Sequence, residues 1–341
     1  ARADPAGCGG HNARPMKVFS YDRYAPTLPA GHRFPMDKYA RLRARVLSEC
    51  SGLISLEPSA ASDGELALAH SPDYIDSVVN GTLSDAALRE IGFPWSAPMV
   101  ERARRSVGAT IAAARCALHE GVAVQLGGGT HHAYASKGSG YCIFNDVAVA
   151  ARLMQAEVHR LRRALLRVWV IDLDVHQGNG TASIFSDDPT VFTLSLHGRK
   201  NFPFRKEASD LDVDLPDGCG DAEYLHALDA ALAESWRRMA LQGPPGLAFY
   251  LAGADAHEAD RLGRLKLTDA GMLERDRRVF GFLHRCGLPV VVTMAGGYGH
   301  DIDTTVAVQV RTVQVARQAW IAWQGRGRAG QIPTRLSGGP A

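Results

Sequence analysis

The chain has 341 residues, a formal net charge of +2, 46% hydrophobic residues and 22% charged residues. This is the composition of a globular protein with a large core, and it argues against a disordered chain. So small a net charge gives no electrostatic reason to expect binding to nucleic acid or to a membrane surface.

The cysteines and the two ends of the chain limit its location and domain organisation. Six cysteines lie far apart without a Cys-x-x-Cys pair, which argues against a disulfide framework and favours a reducing compartment, the cytoplasm. No apolar stretch reaches the roughly 18 residues of a membrane span. We interpret residues 1–15 as a leader or an added segment without fixed structure, 16–324 as one catalytic domain, and 325–341 as a flexible tail.

From Met16 onward, short apolar runs alternate with longer helical patterns. The predicted strands are 17–20, 66–69, 122–126, 167–172, 190–196, 247–252 and 289–294. The predicted helices are 37–50, 73–80, 98–119, 146–157, 221–241, 268–286 and 301–322. This alternation predicts a single α/β domain, with a mostly parallel central β-sheet and helices on both faces.

Four of these predicted strands run into glycine-rich segments that carry reactive side chains. These side chains are His131 and His132 after 122–126, Asp174 and His176 after 167–172, Asp255 after 247–252, and Tyr298 after 289–294. Ligands of open α/β sheets bind beyond the carboxyl ends of the strands. We therefore expect the four segments to meet in one site.

A metal ion is the simplest explanation for the polar residues after strand 167–172. Asp172, Asp174 and His176 occupy alternate positions and so share a face, where two buried carboxylates need a compensating charge. With Asp255, the pair Asp174 and His176 forms a mixed N/O ligand set that suits catalytic zinc and also Fe(II) or Co(II). The alternatives are a buried hydrogen-bonded Asp–His pair and, for Asp255, an ordinary loop aspartate or helix cap.

The remaining side chains suit proton transfer. Of two adjacent histidines near a metal, one can bind a carboxylate while the other moves a proton near neutral pH. A tyrosine between glycines can donate to a developing oxyanion. The alternatives are a structural histidine and a packed aromatic residue.

Five motifs in chain order resemble those of the histone deacetylase family, which has the arginase/deacetylase fold. They are Thr130-His-His-Ala133, Gly140-Tyr-Cys-Ile-Phe-Asn-Asp146, Asp172-Leu-Asp-Val-His-Gln-Gly-Asn-Gly180, Gly253-Ala-Asp255 and Gly296-Gly-Tyr298. The resemblance covers roughly residues 16–322. The His-Gln-Gly-Asn form is most similar to the class IV branch and its bacterial relatives.

The resemblance implies a role for each residue that matches a family motif. It implies Zn²⁺ on Asp174, His176 and Asp255, with Fe²⁺ or Co²⁺ as alternatives in vivo, and a structural K⁺ at Asp172 and the backbone of Asp174, His176, Ser195 and Leu196. His132 would be the general base, His131 its electrostatic partner bonded to Asp172, and Tyr298 the donor to the acyl oxygen. Gln177 and Asn179 would contact the ligands and catalytic residues without binding the metal themselves. The acyl-lysine tunnel would be lined by Gly140, Tyr141, Phe202, Leu262, Gly296 and Gly297.

Two departures from the family pattern concern the base and the substrate. Asn179 stands where some branches have Asp, and a neutral partner should stabilise the imidazolium of His132 less. The segment 91–95 offers no Asp where many relatives hold the substrate backbone.

The function that the resemblance implies is metal-dependent hydrolysis of an acyl group, acetyl or longer, from the Nε-amine of lysine. The substrate would be an acylated lysine in a protein or peptide, or a small acylated amine. The alternatives are an acetylpolyamine amidohydrolase and a non-catalytic acyl-lysine binding protein. The sequence leaves the oligomeric state open.

Overall fold

An eight-stranded parallel sheet forms the centre of the computed structural model, which describes residues 14–326. In chain order the strands are β1 (Met16–Phe19), β2 (Leu53–Leu56), β3 (Val122–Gln125), β4 (Val168–Asp172), β5 (Val191–Gly198), β6 (Leu211–Leu215), β7 (Leu247–Leu251) and β8 (Val290–Thr293). Their order across the sheet is β2-β1-β3-β8-β7-β4-β5-β6, and every pairing is parallel. The predicted α/β architecture is confirmed.

Ten helices cover the two faces of this sheet in the described part of the chain. They are α1 (Lys38–Glu49), α2 (Asp63–Leu66), α3 (Pro72–Asn80), α4 (Asp85–Ile91), α5 (Ala97–Glu120), α6 (Asp146–Arg162), α7 (Asn179–Phe185), α8 (Asp221–Ala240), α9 (Asp269–Cys286) and α10 (Ile302–Gly325). The core under α1, α8, α9 and α10 contains Trp169 and Ile171, whereas the core under α5 and α6 contains Val168 and Val170. Alternate residues of β4 thus supply both cores, as the period of a strand requires.

Two strands that the sequence did not predict lie at the two edges of the sheet. β2 and β6 are half-exposed along their length, so they lack the continuous apolar run that marks a doubly covered strand. β6 alternates apolar residues with aspartates, as a strand with one solvent-exposed face does, whereas β2 has only four residues and shows no clear alternation.

The predicted strand at 66–69 is wrong. Helix α2 ends at Leu66, and residues 67–69 form a turn. The reason is a capping box: the Ser62 hydroxyl accepts from the backbone of Glu65, whose side chain accepts from the backbone of Ser62. Helices α4 and α7 were also not predicted; α4 is capped by Ser84, whose side chain accepts from Ala87 N.

The predicted leader and tail lie almost wholly outside the described residues. Helix α10 continues through Gly325, one residue beyond the predicted end of the domain. Within residues 14–326, no helix combines the length and the apolar character needed to cross a bilayer.

Candidate metal centre and active site

The four strand ends singled out in the sequence belong to neighbouring strands. β3, β8, β7 and β4 are consecutive at the centre of the sheet, and all four are fully buried. Because they are parallel, the segments that follow them converge above one edge. The predicted convergence is what the structure shows.

Three ligand residues meet at this edge. One ligand atom each from Asp174, His176 and Asp255 lies within 4.8 Å of the others, and all three residues are buried. His176 Nδ1 is 3.0 Å from Asp174 Oδ1 and 3.2 Å from Asp255 Oδ2. A Cβ at Gly296 would lie only 1.9 Å from Asp255 Oδ2, so a residue without a side chain is needed beside the cluster.

Alternation along the segment after β4 produces this arrangement. The strand proper ends at Asp172, but the alternation continues: Leu173 and Val175 enter the hydrophobic core, while Asp174 and His176 face the cluster. The shared face predicted from the sequence therefore extends four residues past the end of the strand, where Leu173 N still donates to the Leu251 carbonyl at 3.1 Å.

Backbone groups fix the orientation of both carboxylates. Asp174 Oδ1 accepts from His176 N at 2.9 Å and its Oδ2 from Gly296 N at 2.7 Å, whereas Asp255 Oδ1 accepts from Val175 N at 2.9 Å. Hydrogen bonds of this kind orient metal ligands. The two carboxylates are therefore held in place by backbone groups of the strand-end loops that surround them.

The charge state of the cluster fits a divalent cation. Burial, and then the charge of Asp174, raise the pKa of Asp255 to about 7, and no aligned donor reaches its buried Oδ2. Burial lowers the pKa of His176, but the Asp174 and Asp255 carboxylates outweigh it and raise that pKa to about 10. His176, and Asp255 below about pH 7, thus hold protons that a metal ion would replace.

His131 is bound to a carboxylate, as predicted. Its Nδ1 lies 2.6 Å from Asp172 Oδ2, and both side chains are buried. Burial opposes protonation of His131, but the charges of Asp172 and Asp174 raise its pKa to about 9. The two carboxylates therefore favour the protonated form of His131 beside the cluster.

His132 has the opposite character. Burial, then the neighbouring His131 and His176, lower its pKa well below the ordinary value. Its Nδ1 lies 2.6 Å from Asn179 Oδ1, which accepts the Nδ1 proton and leaves Nε2 with a lone pair. A neutral imidazole of this tautomer can accept a proton.

Tyr298 has a protonated hydroxyl and a fixed backbone. Burial, then the charge of Asp174, raise the pKa of Tyr298 well above its ordinary value. Its backbone N–H donates to Asp260 Oδ2 at 2.6 Å, and its carbonyl accepts from Arg261 Nε at 2.8 Å. The ring centroid lies 6.5 Å from that of His176. The residue is a hydrogen-bond donor anchored next to the cluster.

The residues assigned to the tunnel form a wall around His132. Phe202 meets the His132 ring edge-on, with centroids 4.9 Å apart. Gly140 has φ +53°, and a Cβ there would approach His132 Cδ2 to 2.6 Å. Tyr141 packs 6.0 Å from Tyr298. The assignment of Phe202, made in an irregular loop, coincides with its place in the structure.

The other assigned tunnel residues lie further from the histidines. Leu262 is 38% exposed, and its carbonyl accepts from Asn201 Nδ2 at 2.7 Å, which puts it beside the segment of Phe202. The carbonyl of Gly297 accepts from the buried Lys38 Nζ at 3.2 Å. Leu262 is thus exposed beside the segment of Phe202, whereas Gly297 is buried against Lys38.

The structure adds aromatic residues that the sequence analysis missed. Phe34 lies 5.1 Å from Tyr141 and 6.1 Å from Tyr298, and Phe93 lies 5.3 Å from Tyr141, between ring centroids. Each is a single aromatic residue in a loop, without periodicity to mark it. Phe93 falls in segment 91–95, which the sequence analysis considered only for its lack of an aspartate.

The residues assigned to a potassium site lie on adjacent strands. Asp172 of β4 is in register with Ser195 of β5, and Leu196 follows it on the same strand. Asp172 Oδ1 accepts from Asp174 N at 3.1 Å. The structure brings these residues together next to the metal ligands.

Comparisons with known proteins agree with this geometry. The family model for the histone deacetylase domain matches residues 32–313. An uncharacterised protein of Picosynechococcus sp. (strain PCC 7002) is 44% identical over 85% of this chain and 94% of its own length. Histone deacetylase 2 of Arabidopsis thaliana is 32% identical over 86% of this chain and 76% of its own.

The fold agrees with solved structures of the same family. The crystal structure of an HDAC homologue from Aquifex aeolicus superimposes with a TM-score of 0.72 at 23% identity, covering 89% of this chain and 84% of that one. At 23% identity this structural likeness establishes the fold alone, whereas the sequence matches establish the family. The chain belongs to the histone deacetylase family, whose members are hydrolases that act on amides.

Proposed function

We propose that this protein is a zinc-dependent lysine deacylase that hydrolyses the amide of an Nε-acylated lysine to a carboxylate and a free amine. The observation that carries the proposal is that His132 lies next to the buried ligand cluster: the centroid of its ring is 6.0 Å from that of the His176 ring. A bound metal would supply the Lewis acidity that amide hydrolysis needs. Three mixed N/O ligands favour zinc, with Fe²⁺ or Co²⁺ as alternatives in vivo.

The protein's own residues supply the proton transfers. His132 Nε2 takes a proton from the attacking water as the oxygen bonds to the acyl carbon, and returns it to the amine nitrogen as the C–N bond breaks. The Tyr298 hydroxyl donates to the acyl oxygen while negative charge develops there. His131, held positive by Asp172, offsets the same charge electrostatically.

The tunnel supports an acyl group on a long alkyl arm as the substrate. Tyr141, Phe202 and Phe34 present aromatic surface next to Tyr298 and His132. Such a wall suits the apolar stem of a lysine side chain. Gly140, Gly296 and Gly297 would allow the substrate to approach the backbone.

The rim favours lysine on a peptide over a free acetylpolyamine. Arg33 and Arg261 are exposed, and Arg261 Nη2 donates to the Arg33 carbonyl at 3.2 Å while Arg261 Nε binds the carbonyl of Tyr298. The Arg261 guanidinium beside the catalytic tyrosine would repel a polycation. The apolar Leu262 at the rim adds no carboxylate to attract one.

Two further features belong to the proposal. Asp172, Ser195 and Leu196, with the backbone at Asp174 and His176, would bind a structural K⁺. The protein would act in the cytoplasm, since its cysteines suit a reducing compartment. An exchange of Asp172 for Asn should abolish any K⁺ dependence of activity.

Turnover of an acyl series tests the function. One lysine peptide carrying acetyl to myristoyl groups is compared with acetylspermidine, using the zinc-loaded enzyme, with His132→Ala as the blank. We expect peptide hydrolysis to exceed acetylspermidine hydrolysis. Faster acetylspermidine hydrolysis would establish the polyamine alternative, and equal rates for the enzyme and the blank would support a binding protein.

A further inference from the structure

A chain of hydrogen bonds joins His132 to a carboxylate at the surface. His132 Nδ1 lies 2.6 Å from Asn179 Oδ1, Asn179 Nδ2 donates to the Tyr134 hydroxyl at 2.8 Å, and that hydroxyl donates to Glu207 Oε1 at 3.2 Å. His132 and Asn179 are buried, Tyr134 is half-buried, and Glu207 is exposed. The chain therefore runs from the candidate base to solvent in three steps.

The direction of each bond depends on the bond that follows it. An ionised carboxylate only accepts hydrogen bonds, whereas a tyrosine hydroxyl and a primary amide can each present either a donor or an acceptor to a neighbour. Because Glu207 accepts from Tyr134, the hydroxyl oxygen is left to accept from Asn179 Nδ2. The amide must then turn its Oδ1 towards His132, which places the imidazole proton on Nδ1.

We propose that Tyr134 and Glu207 are positioning residues that set the tautomer of His132 by fixing the orientation of the Asn179 amide. When residue 207 can also donate, as the amide in Glu207→Gln can, Tyr134 can turn its proton towards Asn179 Oδ1, and the Asn179 amide can present its NH₂ group to His132. The imidazole proton would then lie on Nε2, and the lone pair needed for proton abstraction would face away from the cluster. The proposal rests on the proposed role of His132 as base.

The identity of residue 179 explains why such a device is needed. An aspartate at that position would accept from His132 with either oxygen, so its own chemistry would set the tautomer. Asn179 has one acceptor and one donor end. Its orientation must be imposed by a third group, and Tyr134 is the group in contact with its donor end.

A separate pair of hydrogen bonds holds Glu207 in reach. Gln177 Nε2 donates to the Glu207 carbonyl at 2.6 Å, and Gln177 Oε1 accepts from Glu207 N at 2.9 Å. Asp212 Oδ1 accepts from the same Nε2 at 2.9 Å. The Asp212 carboxylate thus fixes the orientation of the Gln177 amide as well. Gln177 and Asn179 belong to one sequence motif, and both contact the chain of hydrogen bonds that ends at Glu207.

Kinetics in two backgrounds test the proposal. Tyr134→Phe and Glu207→Gln are measured in the zinc-loaded native enzyme and in Asn179→Asp, with an acyl-lysine peptide. In the native background we expect kcat to fall about threefold to tenfold, the equivalent of one neutral hydrogen bond, with KM little changed. In the Asn179→Asp background both substitutions should change kcat by less than about twofold. A carboxylate at position 179 accepts the hydrogen bond from His132 Nδ1 regardless of the group that residue 134 presents.

Matched controls and a spectroscopic readout separate positioning from structural damage. Tyr24 donates to Glu57 Oε1 at 2.7 Å. This is the same type of pair, but neither residue belongs to the chain of hydrogen bonds that begins at His132. Tyr24→Phe and Glu57→Gln should therefore leave kcat unchanged. Nitrogen-15 NMR of the zinc-loaded enzyme, with His132 assigned by its substitution, should show protonated Nδ1 in the native protein. Glu207→Gln should add the Nε2-protonated form.

The outcomes divide cleanly. Equal losses of kcat in both backgrounds, or an unchanged His132 tautomer in Tyr134→Phe and Glu207→Gln, would overturn the proposal. The NMR result does not depend on turnover. If the enzyme hydrolysed none of the acyl substrates while the tautomer still shifted, the proposed function would fail and the positioning role would remain.

Discussion

The metal cluster and the support of His132 are adjacent, yet they are built in different ways. The cluster is anionic and held by backbone N–H groups of the strand-end loops around it: Gly296 N and His176 N bind Asp174, and Val175 N binds Asp255. His132 is supported by neutral side chains, Asn179 and Tyr134, from separate segments. The cluster is thus fixed by chain geometry, whereas the base depends on the direction of hydrogen bonds.

This difference predicts two kinds of sensitivity. Substitutions in the cluster should abolish metal binding, since each ligand is irreplaceable. Substitutions around His132 should leave the metal bound and lower kcat, with smaller effects the further they lie from the imidazole. The predictions below begin with the largest effect.

Loss of a ligand should have the largest effect. Asp255→Asn removes a charge that balances the cation, so we expect zinc affinity to fall by at least about 100-fold and activity with it. Zinc stoichiometry after dialysis measures this. The exposed Glu258 provides the control Glu258→Gln; full zinc content in Asp255→Asn would refute the ligand set.

Loss of the base or the oxyanion donor should spare the metal. His132→Ala should lower kcat by about 10²–10⁴-fold and Tyr298→Phe by about 10²–10³-fold, with unchanged zinc content and thermal stability. His159 is exposed on α6, so His159→Ala is the control. Turnover near the native rate in either variant would contradict the assigned roles.

Metal affinity should depend on pH, because protons compete for the ligands. The pKa of His176 is raised to about 10 and that of Asp255 to about 7 in the metal-free cluster. Binding therefore displaces one proton between these values and two below about 7, so affinity should fall about tenfold per pH unit and then about 100-fold per unit as pH decreases. Competition with a chelator measures it; affinity independent of pH would refute the charge assignment.

A methyl group in the tunnel should have the smallest effect. At Gly140 the backbone has φ +53° and an added Cβ would lie 2.6 Å from His132 Cδ2. We expect Gly140→Ala to cost roughly 1–2 kcal/mol of stability from the left-handed backbone and to lower kcat/KM by displacing the imidazole. Gly31 has φ +78° without close neighbours, so Gly31→Ala should lose stability but keep kcat/KM. Equal kcat/KM values in both variants would argue against the contact.

The same comparison explains what the sequence could predict. Asp174, His176 and Asp255 follow buried strands, and their alternation or flanking glycines are local signals that survive into the fold. The two edge strands, half-exposed and short, carried weaker signals and were missed. The capping box at Ser62 and Glu65 overrode an apolar run that was read as a strand.

Several residues that support His132 or line the tunnel carry no such local signal in the sequence. Tyr134 and Glu207 are 73 positions apart, and Phe34 reaches Tyr141 from a different loop. Neither pair has a spacing that marks it, because loops meet only after the sheet has positioned their ends. Asn179 was identified as a neutral neighbour of His132, but the group that orients its amide became visible only in three dimensions.

The most direct test of the central claim is zinc titration of the metal-free enzyme, with formation of the free side-chain amine on an acyl-lysine peptide as the readout. We predict that activity rises linearly with zinc and reaches its plateau at one equivalent in the native protein. In His132→Ala the same equivalent should bind without restoring turnover. Full peptide hydrolysis by the metal-free protein, or by zinc-loaded His132→Ala, would contradict the account.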